Sequence, residues 1–442
     1  MTKFIHSQPQ QAIDEAVRRH AESRGKIQVM PKCELGGPRD FDIWYTPGVA
    51  AASRAIQEDP DRVYELTNRA NSVAIVTDGS RVLGLGNIGP EAGLPVMEGK
   101  ALLFKYLGDV DAFPICLATQ KTDELIRTVE LLEPAFGGIN LEDISQPKCF
   151  RVLERLRATM KIPVWHDDQQ GSATVLLAAL ANALQIVGKK LSAITIAMIG
   201  MGAANASVYR MLKASGANPA AIVGCDSKGT LHAGRADIEA EQQRLPEKWA
   251  VCRETNAHAV IGGTAEALRG ADVCIAFSTP GPGVIRPEWI RSMAPDAVVF
   301  ACANPVPEIW PQEAKAAGAR IVATGRGDFP NQVNNSLVFP AIFRGTLDAR
   351  ASTISDEMAL AAADELARCA ADAGLREDFI LPRMEDWEAV PRVAAATALK
   401  AQEQGLARQR VERDEYTRRV TSRLARIREA TALLQQPSRA TA

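Results

Sequence analysis

The chain has 442 residues, 46% of them apolar and 24% charged, with a formal net charge of −2. That length suits two or three domains around a sizeable core. The near-neutral balance gives no bulk electrostatic reason for a nucleic-acid or membrane partner, and no uninterrupted apolar run reads as long enough to span a bilayer.

The first residues show neither an apolar signal core nor a small-residue cleavage site. The eight cysteines are scattered, with no Cys-x-x-Cys pair. Both features point to reduced thiols in a cytoplasm. Residues 9–24 can form an amphipathic helix, followed by a Pro/Gly-rich loop at 31–38. Residues 73–77, Val-Ala-Ile-Val-Thr, form a buried strand that ends in an Asp-Gly turn. A glycine-rich loop covers 84–90 and a helix is expected over 98–107. A helix at 123–133 stops before Pro134, and short strands follow at 137–144 and 162–165. A long apolar helix is expected over 174–187.

The middle third alternates. Strands are expected at 193–199, 221–225, 273–277, 297–301 and 320–324, with a helix at 203–215. Such alternation implies a parallel sheet covered on both faces. From 354 onward the pattern is helical, with charged helices over 403–434 and a loose tail at 436–442. The expected class is α/β: an N-terminal α/β catalytic domain (1–166), a Rossmann-type doubly wound parallel sheet (167–333), and C-terminal helices (334–442) packing back on the first domain.

Gly200-Met-Gly-Ala-Ala-Asn directly follows a strand and opens a helix. Gly200 permits a tight turn; Gly202, Ala203 and Ala204 let backbone approach a pyrophosphate at the helix N-terminus. Asn205 stands where the fingerprint has Gly or Ala. Asp226 ends the next strand and is placed for a ribose hydroxyl, while Lys228 could neutralise a 2′-phosphate, which favours NADP over NAD. A lone Gly-x-Gly can also be a plain structural turn.

Glu142-Asp143 and Asp167-Asp168 are acidic pairs at strand ends. Adjacent residues on a straight strand face opposite ways, so a pair reaches one ion only where the strand bends or ends. Such carboxylates suit Mg²⁺ or Mn²⁺; they also suit solvated turns or a helix cap. Lys100 at a helix start could have a shifted pKa and act as a base, Arg81 could clamp a carboxylate, and Tyr45 could be an ordinary core aromatic.

Together the motifs are more specific. Trp44-Tyr-Thr-Pro-Gly-Val-Ala, Val76-Thr-Asp-Gly-Ser-Arg-Val-Leu-Gly-Leu-Gly-Asn-Ile-Gly, Pro95-Val-Met-Glu-Gly-Lys and Gly138-Ile-Asn-Leu-Glu-Asp-Ile resemble the bacterial malic enzymes. So do Ile162-Pro-Val-Trp-His-Asp-Asp-Gln, Ala303-Asn-Pro-Val-Pro-Glu and Asp328-Phe-Pro-Asn-Gln-Val-Asn-Asn. The resemblance implies oxidative decarboxylation of malate with NAD or NADP and a divalent metal, in a homodimer or larger homo-oligomer. It implies Tyr45 as general acid, Lys100 as general base and Asp167 as a proton-relay carboxylate. Glu142, Asp143 and Asp168 would hold the metal. Arg81, Asn304 and Asn335 would orient malate, with Asn304 and Asn334 near the nicotinamide. After Asp168 the family usually reads Gln-His-Gly-Thr, where this chain has Gln169-Gln-Gly-Ser. Many bacterial members continue into a phosphotransacetylase-like region, which this sequence is too short to include. Two other readings stay open: the same chemistry on another β-carboxylated 2-hydroxy acid, malolactic turnover included, and a non-catalytic nucleotide sensor on a Rossmann scaffold.

Overall fold

The computed structural model describes residues 10–434. The tail expected at 436–442 lies outside them. After α1 (Gln10–Ser23), α2 (Pro38–Trp44) and α3 (Val49–Glu58) comes a four-stranded parallel sheet, in the order β2-β1-β3-β4. β1 (Ser72–Thr77) is buried along its whole length. It leads through α4 (Pro90–Gly108) to β2 (Asp111–Cys116), then through α5 (Thr122–Leu132) to β3 (Gly138–Leu141) and through α6 (Lys148–Thr159) to β4 (Val164–His166). β2 and α6 have no counterpart among the sequence expectations. Pro114 obscures β2 in the sequence; the strand tolerates it because β2 pairs on one side only. α4 starts at Pro90 rather than near residue 98, and Pro95 sits inside it.

α7 (Ser172–Val187) links the two sheets. Twelve of its sixteen residues are buried. The helical run Asp167–Val187 is long and apolar enough to cross a membrane by length and composition, but 78% of its most apolar window is buried in the protein. Its apolarity is that of a central core helix, which must face neighbours all round.

The second sheet has the order β10-β9-β8-β5-β6-β7. Its strands are β5 (Ile196–Ile199), β6 (Ile222–Asp226), β7 (Gly229–Thr230), β8 (Val273–Ala276), β9 (Val298–Ala301) and β10 (Ile321–Thr324). All pairings are parallel except the two-residue β6–β7 contact. β5 begins after a short 3₁₀ turn at Leu191–Ala193. α8 (Ala203–Ala214) follows β5, and α9 (Pro246–Glu254) lies between β7 and β8. The chain leaves β5 towards β6 on one side and returns to β8 on the other. The carboxyl ends of β5 and β8 therefore flank the crevice where doubly wound sheets bind ligands.

The last third is helical: α10 (Phe339–Asp348), α11 (Asp356–Asp372), α12 (Ala389–Glu403) and α13 (Arg413–Leu434). The charged helix expected from 403 starts ten residues later, after a loop with Gly405 at φ 70°. α10 packs on α4, with the Phe104 ring 4.6 Å from Phe339 and 5.1 Å from Phe343. α13 is tied to the first sheet's neighbourhood by polar contacts. Tyr416 Oη donates to Asp348 at 2.9 Å, and Arg423 Nη2 donates to Asn71 at 2.9 Å. One apolar cluster runs from Val73 and Ile75 through α7 to Ile196, Val273 and Phe339, so α4 is fixed from both sides.

Candidate active site

A cleft of about 850 Å³ opens between the two sheets. Arg81, Lys100, Glu142, Asp143 and Asp168 line one wall; Gly202, Ala203, Ala204 and Asn304 line the other, with Asn334 and Asn335 between them. Most of the expected site residues thus meet in one place. Five do not line the cleft: Asp167 meets it only through Lys100, Gly200 begins the turn that carries Gly202, Asp226 and Lys228 lie beyond it along the carboxyl edge of the second sheet, and Tyr45 stands apart. Tyr45 is 72% exposed and is not part of the cleft wall.

The two acidic pairs converge by local backbone devices. β3 ends at Leu141, and Asp143 takes φ 54° in the left-handed region. That break lets neighbouring side chains share one side, which a straight strand forbids. Residues Asp167–Gly171 form a π-helical turn ahead of α7. Such turns splay consecutive side chains and recur at functional sites. Here Asp167 turns to Lys100 while Asp168 accepts from the backbone N–H of Asp143 at 2.8 Å. Asp168 therefore reaches across to β3 and does not cap the following helix. Gly171 is required by this turn, because a Cβ there would stand 1.9 Å from Asp167 Oδ1.

Glu142, Asp143 and Asp168 each offer a carboxylate oxygen, all within 4.8 Å of one another. Asp143 Oδ2 is buried and has no hydrogen-bond partner. Burial, then the charge of Asp168, raises Asp143 to about 8. Burial also pushes Glu142 and Asp168 above the usual carboxylate range, against the opposing charge of Lys100. Three crowded carboxylates, two of them buried and one with an unpartnered oxygen, fit a divalent cation with oxygen ligands.

Lys100 projects from α4 into this field. Its ammonium donates to Asp167 and, at 3.1 Å, to Asn335 Oδ1; it lies 3.1 Å from Glu142 Oε1 and 4.6 Å from the centre of the Phe339 ring. Burial alone would lower its pKa. Asp167 and Glu142 outweigh that and hold Lys100 above its ordinary value, as a cation. Asp167 also accepts from Trp165 Nε1 at 3.2 Å, so its orientation is fixed from two directions.

Several supporting residues escaped sequence reasoning. Asp78 pairs with Lys148 and accepts from Ser80 Oγ at 2.6 Å; Ser80 Oγ in turn accepts from the Ser145 N–H at 2.9 Å. This chain joins the Arg81 turn to the Glu142–Asp143 loop. Glu308 is fully buried. It accepts from Ser278 N–H at 2.8 Å, Ser278 Oγ at 2.9 Å and Ala303 N–H at 3.1 Å, tying the loop after β8 to the loop that carries Asn304. A carboxylate seven residues beyond the end of β9, among prolines, carries no periodic signal that would mark it.

The departures from the family pattern also find their places. Gln170 is wholly buried; its Oε1 accepts from the His166 N–H at 3.1 Å, and it does not line the cleft. Asn205 is wholly buried, and its Nδ2 donates to Ile199 O at 3.1 Å and Gly200 O at 2.6 Å. The Asp226 carboxylate, expected to face a ribose, is engaged by Arg235, Lys248 and the Lys228 N–H.

Comparisons with known proteins agree with this geometry. The family model for the malic enzyme N-terminal domain matches residues 24–157, and that for the malic enzyme NAD-binding domain matches 169–402. The bifunctional malic/malolactic enzyme of Bacillus subtilis is 46% identical over 415 residues, covering 92% of this chain and 98% of that protein. The NAD-dependent malic enzyme of Geobacillus stearothermophilus is 47% identical over 384 residues, covering 87% of this chain and 78% of that protein. The crystal structure of the Entamoeba histolytica malic enzyme superposes with a TM-score of 0.94 at 46% identity, covering 97% of this chain and 90% of that one. Both halves of the family match in order around one acidic cleft, and the chain belongs to the malic enzyme family.

Proposed function

We propose that this chain oxidises malate at C2 with NADP or NAD as hydride acceptor and releases pyruvate and CO₂. The observation that carries the reading is Lys100, bonded to Asp167 and Asn335 beside three converging carboxylates, opposite the glycine turn after β5.

A Mg²⁺ or Mn²⁺ held by Glu142, Asp143 and Asp168 would supply Lewis-acid polarisation of the substrate oxygens and stabilise negative charge during decarboxylation. A dinucleotide with its pyrophosphate at Gly200–Ala204 and its nicotinamide near Asn304 and Asn334 would accept the hydride. The chain's own residues do the rest. Arg81, exposed at the cleft mouth, pairs with a malate carboxylate, and Asn335 and Asn304 fix the substrate against Lys100. Lys100 takes the C2 hydroxyl proton once it has passed its own proton to Asp167. Asp167, raised by burial and lowered in turn by Lys100, is suited to hold that proton. Tyr45 returns a proton to C3.

In this reading a second copy of the chain presents Tyr45, which is exposed and stands outside the cleft of its own chain. Its surroundings favour that reading. Val29, Met30, Phe41, Ile43 and Trp44 are all exposed on the same N-terminal segment. An apolar surface of that kind suits burial between subunits, so we propose a homodimer or larger homo-oligomer. The eight unbridged cysteines favour the cytoplasm.

The test is malate-dependent reduction of each dinucleotide with and without Mn²⁺, measuring pyruvate and CO₂ together. Lys100→Ala should lower kcat by about a hundred- to ten-thousandfold with dinucleotide affinity kept. Unchanged turnover in that variant would remove Lys100 from the chemistry.

A further inference from the structure

Lys100 lies between two carboxylates, and each turns one oxygen to it. Glu142 Oε1 stands 3.1 Å from the ammonium, and Asp167 accepts from it through Oδ2. The two far oxygens have donors of their own. Asn140 Nδ2 donates to Glu142 Oε2 at 2.9 Å, and Trp165 Nε1 donates to Asp167 Oδ1 at 3.2 Å. Asn140 and Trp165 are paired neighbours on the parallel strands β3 and β4. Each acts on the carboxylate two residues further along its own chain, which an extended backbone places on the same face.

Both donors are wholly buried. Asn140 Oδ1 has no hydrogen-bond partner. A buried amide with an unpaired carbonyl carries a desolvation cost that an apolar residue would not, and apolar residues are the rule on strands buried on both faces. The amide is accounted for by its N–H groups: turned over, its oxygen would face the Glu142 carboxylate, which offers only acceptors. Trp165 belongs to the same apolar cluster as Met97 and Ala101, on the helix that carries Lys100. Packing accounts for its ring. Its N–H needs an acceptor once buried, and takes Asp167. The terminal torsions of Asp and Glu have broad wells, so neither carboxylate sets its own plane. A donor on the far oxygen does.

We propose that Asn140 and Trp165 are positioning residues for Lys100: by binding the far oxygens of Glu142 and Asp167 they aim the near oxygens at the ammonium and hold it in the cleft wall. The proposal rests on the malate reading given above and deepens it. Glu142 also belongs to the carboxylate cluster suited to a cation, and Asp167 does not. Asn140 therefore acts on cation binding as well as on the lysine, and Trp165 on the lysine alone.

The experiment uses the full chain with Asn140→Leu or Trp165→Phe, which remove the N–H donors and keep the positions filled. Malate turnover is measured at saturating dinucleotide and Mn²⁺, and Mn²⁺ alone is titrated into each protein by calorimetry. Trp165→Phe should lower kcat by about tenfold, the loss expected for one hydrogen bond to a charged group, with the KM for malate and the Mn²⁺ affinity within about twofold of wild type. Asn140→Leu should lower kcat by a similar factor and also weaken Mn²⁺ binding by about threefold to tenfold. NADP affinity should stay at the wild-type value in both. In an Asp167→Ala background, Trp165→Phe should cost nothing more, because its acceptor is gone; a packing role would cost as much there as in the wild type. Should Asn140→Leu fail to fold, Asn140→Ala reads the same loss. Wild-type kcat in either variant overturns the proposal, as does a loss of NADP affinity that parallels the loss of rate. Both results leave the malate reading standing. If the wild type turns over no malate with either dinucleotide, that reading falls and this proposal with it.

Discussion

The side-chain amide of Asn205 donates to the Gly200 carbonyl at 2.6 Å, so the residue that breaks the glycine fingerprint is bonded to the glycine that begins it. A second bond, to Ile199 O, fixes the last residue of β5. A glycine at this position would let helix and strand approach closely. Asn205 instead holds the turn in place with its own donors. Removing a buried donor leaves its two acceptors exposed to the desolvation cost of about 1–3 kcal/mol. Asn205→Ala should therefore raise the dissociation constant for either dinucleotide by about fivefold to a hundredfold, with the KM for malate much less affected. Dinucleotide binding at wild-type strength would show that the turn holds its shape without the amide.

Removal of one metal-site carboxylate should separate cation binding from dinucleotide binding. Wild-type chain titrated with Mn²⁺ should gain thermal stability, by about 3 kcal/mol at a hundredfold excess over the dissociation constant. In Asp168→Ala that gain should vanish while NADP binding persists. Proton release should accompany Mn²⁺ binding near pH 7, because Asp143 is raised to about 8 and must ionise to act as a ligand. A Mn²⁺-induced rise in melting temperature that survives in Asp168→Ala would place the cation elsewhere.

The sequence makes some of this site legible and conceals the rest for physical reasons. Strand, glycine turn and helix around Gly200 are contiguous, so the dinucleotide wall is visible in one short window. The acidic pairs are visible as pairs. Their convergence is not, because it depends on φ at Asp143 and on a π turn at Asp167–Gly171, neither of which follows from residue type. Glu308 and Asp78 act through backbone N–H groups or lysines distant in the chain. β2 is hidden by Pro114, which only an edge strand tolerates. The partners of Asp226 come from a loop and from α9, both beyond the reach of a motif.

The exposure of Tyr45 gives a direct test of subunit sharing. Tyr45→Phe and Lys100→Ala should each be nearly inactive alone. If one copy supplies Tyr45 to the cleft of another, refolding or exchanging the two variants together should restore activity, because some clefts then receive both wild-type residues. In an equal mixture of dimers about a quarter of the clefts would be intact. Recovery should follow the formation of mixed oligomers by native mass. Mixed oligomers without recovered turnover would mean that Tyr45 and Lys100 serve the same cleft from one chain, or that Tyr45 takes no part.

Glu308 should leave a mark on the pH dependence of stability. Burial raises its pKa to about 7 from an ordinary 4.5, against the opposing hydrogen bonds from Ser278 and Ala303. The folded state thus binds the proton more tightly than the unfolded state does. Its favourable contribution is complete below pH 4.5 and is lost as pH rises through about 7. A shift of that size corresponds to about 3 kcal/mol. Glu308→Gln cannot ionise, so the difference in unfolding free energy between variant and wild type should change by about that amount between pH 4.5 and pH 8. Urea unfolding at several pH values measures it. Because Glu308 joins the loops that carry Ser278 and Asn304, the wild type should also show weaker dinucleotide binding where the carboxyl is protonated and one acceptor is lost. A stability difference that stays constant across the range would mean that Glu308 is charged, or neutral, throughout.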